Sequence, residues 1–261
     1  MGRISLLDHG YLEVVETYGS EERIIEAARM STGKGFKGWG PKCRSCGGDV
    51  SAGEHLAGDC PAEGEEPGDE KLLRYLYEHK HRTPFEMAGA IIEVQAPIFV
   101  FREWHRHRVP FGYNEASARY APLPDVNYVP TVERLMVTPG GLQRDKQAQG
   151  TGEALTAVNA DRFRRRLGEK YRELEELYQQ ALSVGVPKEL ARICLPVGRY
   201  SKMRATGNLR GWLEFVRLRL APNAQHEIRV YADALCNELG RVFPRTMALF
   251  LEEFNREKVG L

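Results

Sequence analysis

Net charge is almost absent from this chain: 37 lysine and arginine residues stand against 36 aspartate and glutamate, leaving +1 over 261 residues. A protein that holds nucleic acid by bulk charge needs a large basic excess, so that class is disfavoured at once. Long apolar runs are missing too. No stretch approaches the roughly 20 residues that span a bilayer, and the opening Met1-Gly2-Arg3-Ile4 lacks the apolar core of an export signal. Cysteine is scarce, with five residues. In a chain read as cytoplasmic they are expected to be reduced thiols, metal ligands or packing, not disulfides. What remains is an ordinary globular composition, 42% hydrophobic and 28% charged, long enough for a sizeable core.

Two β-like runs, Ile4–Leu7 and Tyr11–Val15, flank a turn at His9-Gly10. Ser20 reads as the cap of a helix with Glu21 and Glu22 in its first turn and Ile24, Ile25 and Ala28 on one face. Residues from about 33 to 68 are glycine-rich, hold three of the five cysteines and end acidic, which marks an irregular inserted loop. Asp69 is placed to cap the next helix, with Leu72, Leu73 and Leu76 on its apolar side. Ala88–Val94 has the composition of a buried strand, and the apolar Pro97–Val100 leads into a charged segment. Residues 138–156 lack periodicity. From Arg162 onward the chain reads as helix, with Phe163, Leu167, Tyr171, Leu174 and Leu177 at helical spacing. Strands early and helices late imply an α+β fold: a single domain over 1–261, a twisted sheet flanked by helices, with a long helical C-terminal half.

Gly33-Lys34-Gly35-Phe36-Lys37-Gly38 matches the dinucleotide fingerprint in letters. That fingerprint works only between a strand and a helix N-terminus. Here a helix precedes it and Trp39-Gly40-Pro41 follows, so a plain glycine-rich loop is the better reading.

The chemistry concentrates in Arg102-Glu103-Trp104-His105-Arg106-His107-Arg108 and in Tyr113-Asn114-Glu115-Ala116-Ser117-Ala118-Arg119-Tyr120. Arginine forks suit phosphate or the edge of a uracil ring. The bland alternative is a solvated basic turn, or arginines in structural ion pairs. A second polar cluster, His79–Glu86, precedes the buried strand, and Arg192, Asn208, Arg210, Arg217 and Arg219 sit on otherwise apolar segments. A cation on an apolar helix face needs a partner, and a phosphate-bearing ligand would supply one.

Arg106-His107-Arg108, a short spacer and Ser117 resemble the R-H-R-x7-S signature of the flavin-dependent thymidylate synthase (ThyX) family. Further landmarks of that family follow in order: Ala27–Ser31, His81-x-Thr83-Pro84-Phe85-Glu86, Ala96–Val100, Asn114–Tyr120, Ala191-Arg192-x-x-Leu195-Pro196, Asn208-x-Arg210 and Leu218-Arg219.

The resemblance implies reductive methylation of dUMP to dTMP, with methylenetetrahydrofolate as carbon donor, FAD as hydride mediator and NADPH as reductant. It implies no enzyme nucleophile, and no Pro-Cys-His motif is present. Cys194 and Cys236, on apolar helical faces, read as packing. By similarity the catalytic candidates are Arg219, polarising the uracil, and His81, near the flavin. Candidates for dUMP contact are Glu103, Trp104, His105, Arg106, Glu115, Ala116, Ser117, Ala118, Arg119, Arg192 and Arg219. Candidates for FAD contact are Thr83, Arg106, His107, Arg108, Glu115, Asn208, Arg210 and Glu214. The family is a homotetramer with shared sites, which implies the same assembly here, with no nucleic-acid partner and no membrane.

Three departures stand out. The spacer between Arg108 and Ser117 holds eight residues, including Pro110 and Gly112, so Val109–Gly112 is assigned no contacts. Glu103 stands where glutamine is common, and its charge beside a phosphate requires a neutralising arginine. Asn223 replaces a histidine of some relatives. In the inserted loop, Cys43-x2-Cys46 with His55 and Cys60 has the ligand types of a structural zinc site, against the plainer reading of incidental cysteines. Two other functions compete: a nucleic-acid module using Arg102–Arg119 and Arg162–Arg166, which interleaved acids oppose, and a methyltransferase acting on another uracil, such as one in RNA.

Overall fold

The computed structural model describes residues 2–43, 48, 50, 65–66, 68–136 and 155–259. Strands β1 (Ile4–Leu6) and β2 (Gly10–Tyr18) form an antiparallel hairpin. Helix α1 (Glu21–Ala28) buries Ile24 and Ile25, and its first turn carries Glu21 and Glu22, where acids favour the helix dipole. Ser20 stands at its cap, but its side chain makes no capping bond.

The Gly33–Gly38 stretch is a loop, with positive φ at Gly33, Gly35 and Gly38. Arg29 Nη1 donates to Gly35 O at 2.9 Å, and Lys37 N donates to the Asp69 carboxylate at 2.6 Å. Asp69 therefore does not cap α2 (Asp69–Glu78); Gly68 occupies that position. The Asp69 carboxylate is instead fully buried and paired with Arg29, the partner that burial demands. Lys42–Cys43 pairs with Glu65–Glu66 and closes the base of the inserted segment.

A 3-10 turn, Thr83–Met87, leads into β3 (Gly89–Pro97), then α3 (Ile98–Trp104) and β4 (Gly112–Glu115). Helix α4 (Ala157–Ser183) follows, capped by Thr156, whose side chain accepts from Asn159 N. The expectation of unbroken helix beyond Arg162 fails at β5 (Tyr200–Asn208). Helices α5 (Leu209–Arg219), α6 (His226–Val242) and α7 (Pro244–Val259) complete the chain.

The five strands are antiparallel in the order β1-β2-β3-β5-β4. One sheet face is apolar: Leu12, Ile92, Val94, Met203 and Ala205 are buried in one cluster with Ile228, Tyr231 and Leu235 of α6. The other face carries charge. Glu93 there accepts from Tyr11 Oη at 2.7 Å and from Arg204 Nε at 3.1 Å. This alternation is what a half-covered antiparallel sheet requires. It makes the molecule an α+β fold, as the sequence implies.

Candidate active site

Trp104, at the end of α3, is fully buried and stacks on Phe215 of α5 with ring centroids 4.2 Å apart. This anchors the R-H-R turn to the core. Trp104 is a candidate substrate contact; its side chain is committed to packing, which leaves its backbone for that role. The turn is held again by Tyr113 Oη, which donates toward Trp104 O at 3.1 Å and His107 O at 2.8 Å.

Against this anchor lies Arg219, at the end of α5. Its Nη1 donates to the Glu103 carboxylate, its Nη2 to Glu103 O at 3.0 Å and its Nε to His107 Nε2 at 2.9 Å. A guanidinium has five N–H groups, so one on each Nη remains for a ligand. His107 is buried, and burial together with the Arg219 charge pushes its imidazole down to about 4. It is neutral near pH 7, with Nε2 as acceptor. The arginine required beside Glu103 is thus Arg219 itself.

A cleft of about 500 Å³ is lined by Arg102 and His105, sequence neighbours of Glu103, but not by Glu103, His107 or Arg219 themselves. It gathers His105, Glu115, Ala116, Ala118 and Arg192 from the candidate set, and adds Arg102 and Glu189, which sequence reasoning did not assign. His105 Nε2 lies 3.9 Å from Glu115 Oε2. Ser117 Oγ accepts from Arg119 Nε at 3.3 Å. Arg106 and Arg108 are exposed on the turn.

A second cleft, about 350 Å³, runs along α5 from its cap at Asn208 to Arg217. It collects Asn208, Arg210 and Glu214 from the candidates, with Arg82, Glu86 and Arg217. Asn208 accepts from Gly211 N at 3.0 Å and so caps α5, while Arg210 pairs with Glu86. Val109 and Pro110, in the spacer that was assigned no contacts, also line this cleft. The spacer fits because two glycines face it: a Cβ on Gly207 would stand 2.6 Å from Phe111 and one on Gly211 would stand 2.5 Å from Pro110.

The two catalytic candidates are not brought together within one chain. His81 is exposed, its ring 5.7 Å from that of Tyr75, whereas Arg219 contacts Glu103 and His107. Arg210 and Arg219 stand at opposite ends of α5, about 14 Å apart along its axis. Neither cleft is lined by a cysteine, and Cys194 Sγ turns to the carbonyls of Ala191 and Leu174. Of the zinc candidates, Cys43 is buried, and Cys46, His55 and Cys60 lie outside the described residues. Among the described residues no three His, Cys, Asp or Glu side chains form a metal-binding group, and no helix is long and apolar enough to cross a membrane.

Residues 13–245 match the family described as Thymidylate synthase complementing protein. The chain is 33% identical over 247 residues to the flavin-dependent thymidylate synthase of Thermosipho africanus, an alignment covering 95% of this chain and 93% of that one. It is likewise 33% identical to the enzyme of that name from Ehrlichia ruminantium, covering 95% of this chain and 72% of the relative. Among solved structures, the UMP/dUMP methylase PolB from Streptomyces cacaoi, bound with 5-Br dUMP, superposes with a TM-score of 0.72 at 28% identity, covering 95% of this chain and 97% of that one. Sequence over nearly the full length and the shared fold agree: the chain belongs to the flavin-dependent thymidylate synthase family.

Proposed function

We propose that this protein converts dUMP to dTMP by reductive methylation, with methylenetetrahydrofolate as carbon donor and NADPH as reductant. The observation that carries the reading is Arg219, fixed at three points by Glu103 and His107 with N–H groups still available. A cation held this way needs no reorganisation when charge develops on a uracil carbonyl, which is how it favours bond formation from C5 to the donated carbon. Arg192 lines the larger cleft and supplies donors for the nucleotide, and Ser117 and Arg119, bonded to each other, flank its wall residue Ala118 in sequence. His105 and Glu115 line the same cleft and complete its polar wall.

The smaller cleft suits part of FAD. Arg82, Arg210 and Arg217 present cations to a pyrophosphate, and the Asn208 amide keeps its N–H groups while its oxygen caps α5. When bound, FAD supplies the redox chemistry of the reaction. At about 350 Å³ the cleft is small for so extended a cofactor, which supports a site completed by other copies of the chain, as in a homotetramer. His81 and Thr83, exposed between α2 and β3, then face such a shared site. The Cys43-x2-Cys46 spacing supports one structural zinc ion, with His55 and Cys60 as the other ligands.

The test is a visible absorption spectrum of the protein with added FAD, followed by an assay with methylenetetrahydrofolate, NADPH and either dUMP or UMP. A flavin spectrum and dTMP are expected. UMP is included because PolB is described as a UMP/dUMP methylase. Methylation of UMP alone would overturn the substrate, and absence of flavin binding would overturn the cofactor.

A further inference from the structure

Arg217, which lines the smaller cleft, has its guanidinium held by carboxylates of the C-terminal helix. Its Nη1 donates to both Glu257 oxygens at 2.5 and 2.6 Å, and its Nη2 contacts the Glu253 carboxylate and, at 3.3 Å, Tyr77 Oη. Glu253 does more than hold Arg217. Its Oε2 accepts from Tyr77 Oη at 2.7 Å, and its Oε1 accepts from Lys80 Nζ.

Those other two partners lead to Arg82, which lines the same cleft. Lys80 has φ 59°, a left-handed conformation that costs a non-glycine residue of order 1 kcal/mol or more and persists only where contacts hold it. It stands two residues before Arg82 and immediately before His81, whose N–H donates to Leu76 O at 2.9 Å. The Arg82 guanidinium lies over the Tyr77 ring, 5.6 Å from its centroid. One carboxylate on α7 therefore ties Arg217 on α5 to the turn that presents Arg82 after α2.

We propose that Glu253, which does not itself line the cleft, is a positioning residue for flavin binding: it fixes Arg82 and Arg217 relative to each other in the smaller cleft. This rests on the reading that the cleft receives FAD. The charge is stable. Burial by itself raises the Glu253 pKa, but hydrogen bonds from Lys80, Tyr77 and Arg217 outweigh it and hold the carboxyl at about 2. Glu253→Gln removes that charge while keeping the shape, and Glu253→Asp keeps the charge.

The experiment titrates FAD against the full-length protein by flavin fluorescence, with thermal unfolding as a check on the fold. Glu253→Gln is expected to weaken FAD binding about tenfold, the effect of losing charge-assisted hydrogen bonds, while Glu253→Asp stays within about threefold of wild type. Wild-type affinity in a folded Glu253→Gln protein, or equal losses in both variants, overturns the proposal. If Glu253→Gln does not fold, Lys80→Met carries the test from the half-exposed arm of the network: weaker FAD binding supports the proposal, and unchanged binding overturns it. Arg210→Ala, run in parallel, separates the two readings. Unchanged affinity there rejects the cleft as the flavin site, whereas a loss there with none in Glu253→Gln rejects the role of Glu253 alone.

Discussion

Arg219 donates twice to Glu103, once to the carboxylate and once to the backbone carbonyl at 3.0 Å. The side-chain bond survives with any acceptor of the same length. Glu103→Gln is therefore expected to keep kcat/KM for dUMP within about threefold, while Glu103→Ala lowers it about tenfold by releasing one side of the guanidinium. Steady-state kinetics on the two variants distinguish this from a direct contact of Glu103 with substrate, for which both changes would raise KM for dUMP.

Arg219→Ala is expected to lower kcat by about 10²–10³, the usual loss of a preorganised donor at a developing charge. FAD affinity should change little, because Arg219 is engaged by Glu103 and His107 and does not line the smaller cleft. Single-turnover rates and a FAD titration on the same preparation test both parts. Undiminished turnover would move the activating role to another cation.

His107 makes stability depend on acid. Burial and the neighbouring Arg219 put its folded pKa at about 4, below the ordinary value of 6.5, so the unfolded chain binds the extra proton first. Its stabilisation is complete above about pH 6.5 and is lost as pH falls toward 4, by up to about 3 kcal/mol. Urea midpoints at pH 7 and pH 4.5 should separate more in wild type than in His107→Gln, which keeps an acceptor but does not titrate. The same separation in both proteins would remove His107 as the cause.

Trp104→Ala is expected to cost about 3–5 kcal/mol, because it empties a site packed against Phe215 and Trp212. Urea denaturation measures it directly. A loss below about 1 kcal/mol would mean that the R-H-R turn is not anchored through this ring.

For the inserted segment, elemental analysis of protein purified without chelator is expected to find about one zinc per chain, lost in Cys46→Ser and Cys60→Ser. Zinc-free wild-type protein would leave the cysteines without a ligand role.

The sequence shows some parts of this architecture better than others, for physical reasons. Hydrophobic periodicity places α1, α2 and β3 because each buries one side of a short local pattern. Asp69 misleads: helix-capping chemistry and a buried ion pair use the same carboxylate, and only the fold brings Arg29 near it. β5 is missed although it alternates, with Met203 and Ala205 buried and Lys202, Arg204 and Thr206 exposed. Its period of two is short and lies among helices. In α4 the apolar spacing identifies a helix but not its buried side, for Phe163 and Leu177 are both 51% exposed while Tyr178 is buried. The R-H-R turn is legible because its residues are neighbours in sequence. Arg82 and Arg217 are not, since only the packing of α2, α5 and α7 makes them face one cleft.

The strand order has a consequence for synthesis. β5 enters the sheet between β3 and β4, although both precede it by some hundred residues. As the chain leaves a ribosome, β3 can pair only with β2, and β4 has no neighbour until residue 208 emerges. Throughout that interval an apolar strand edge stands open to pairing with other nascent chains. A message truncated before β5 would therefore yield an aggregating fragment, not a smaller folded unit.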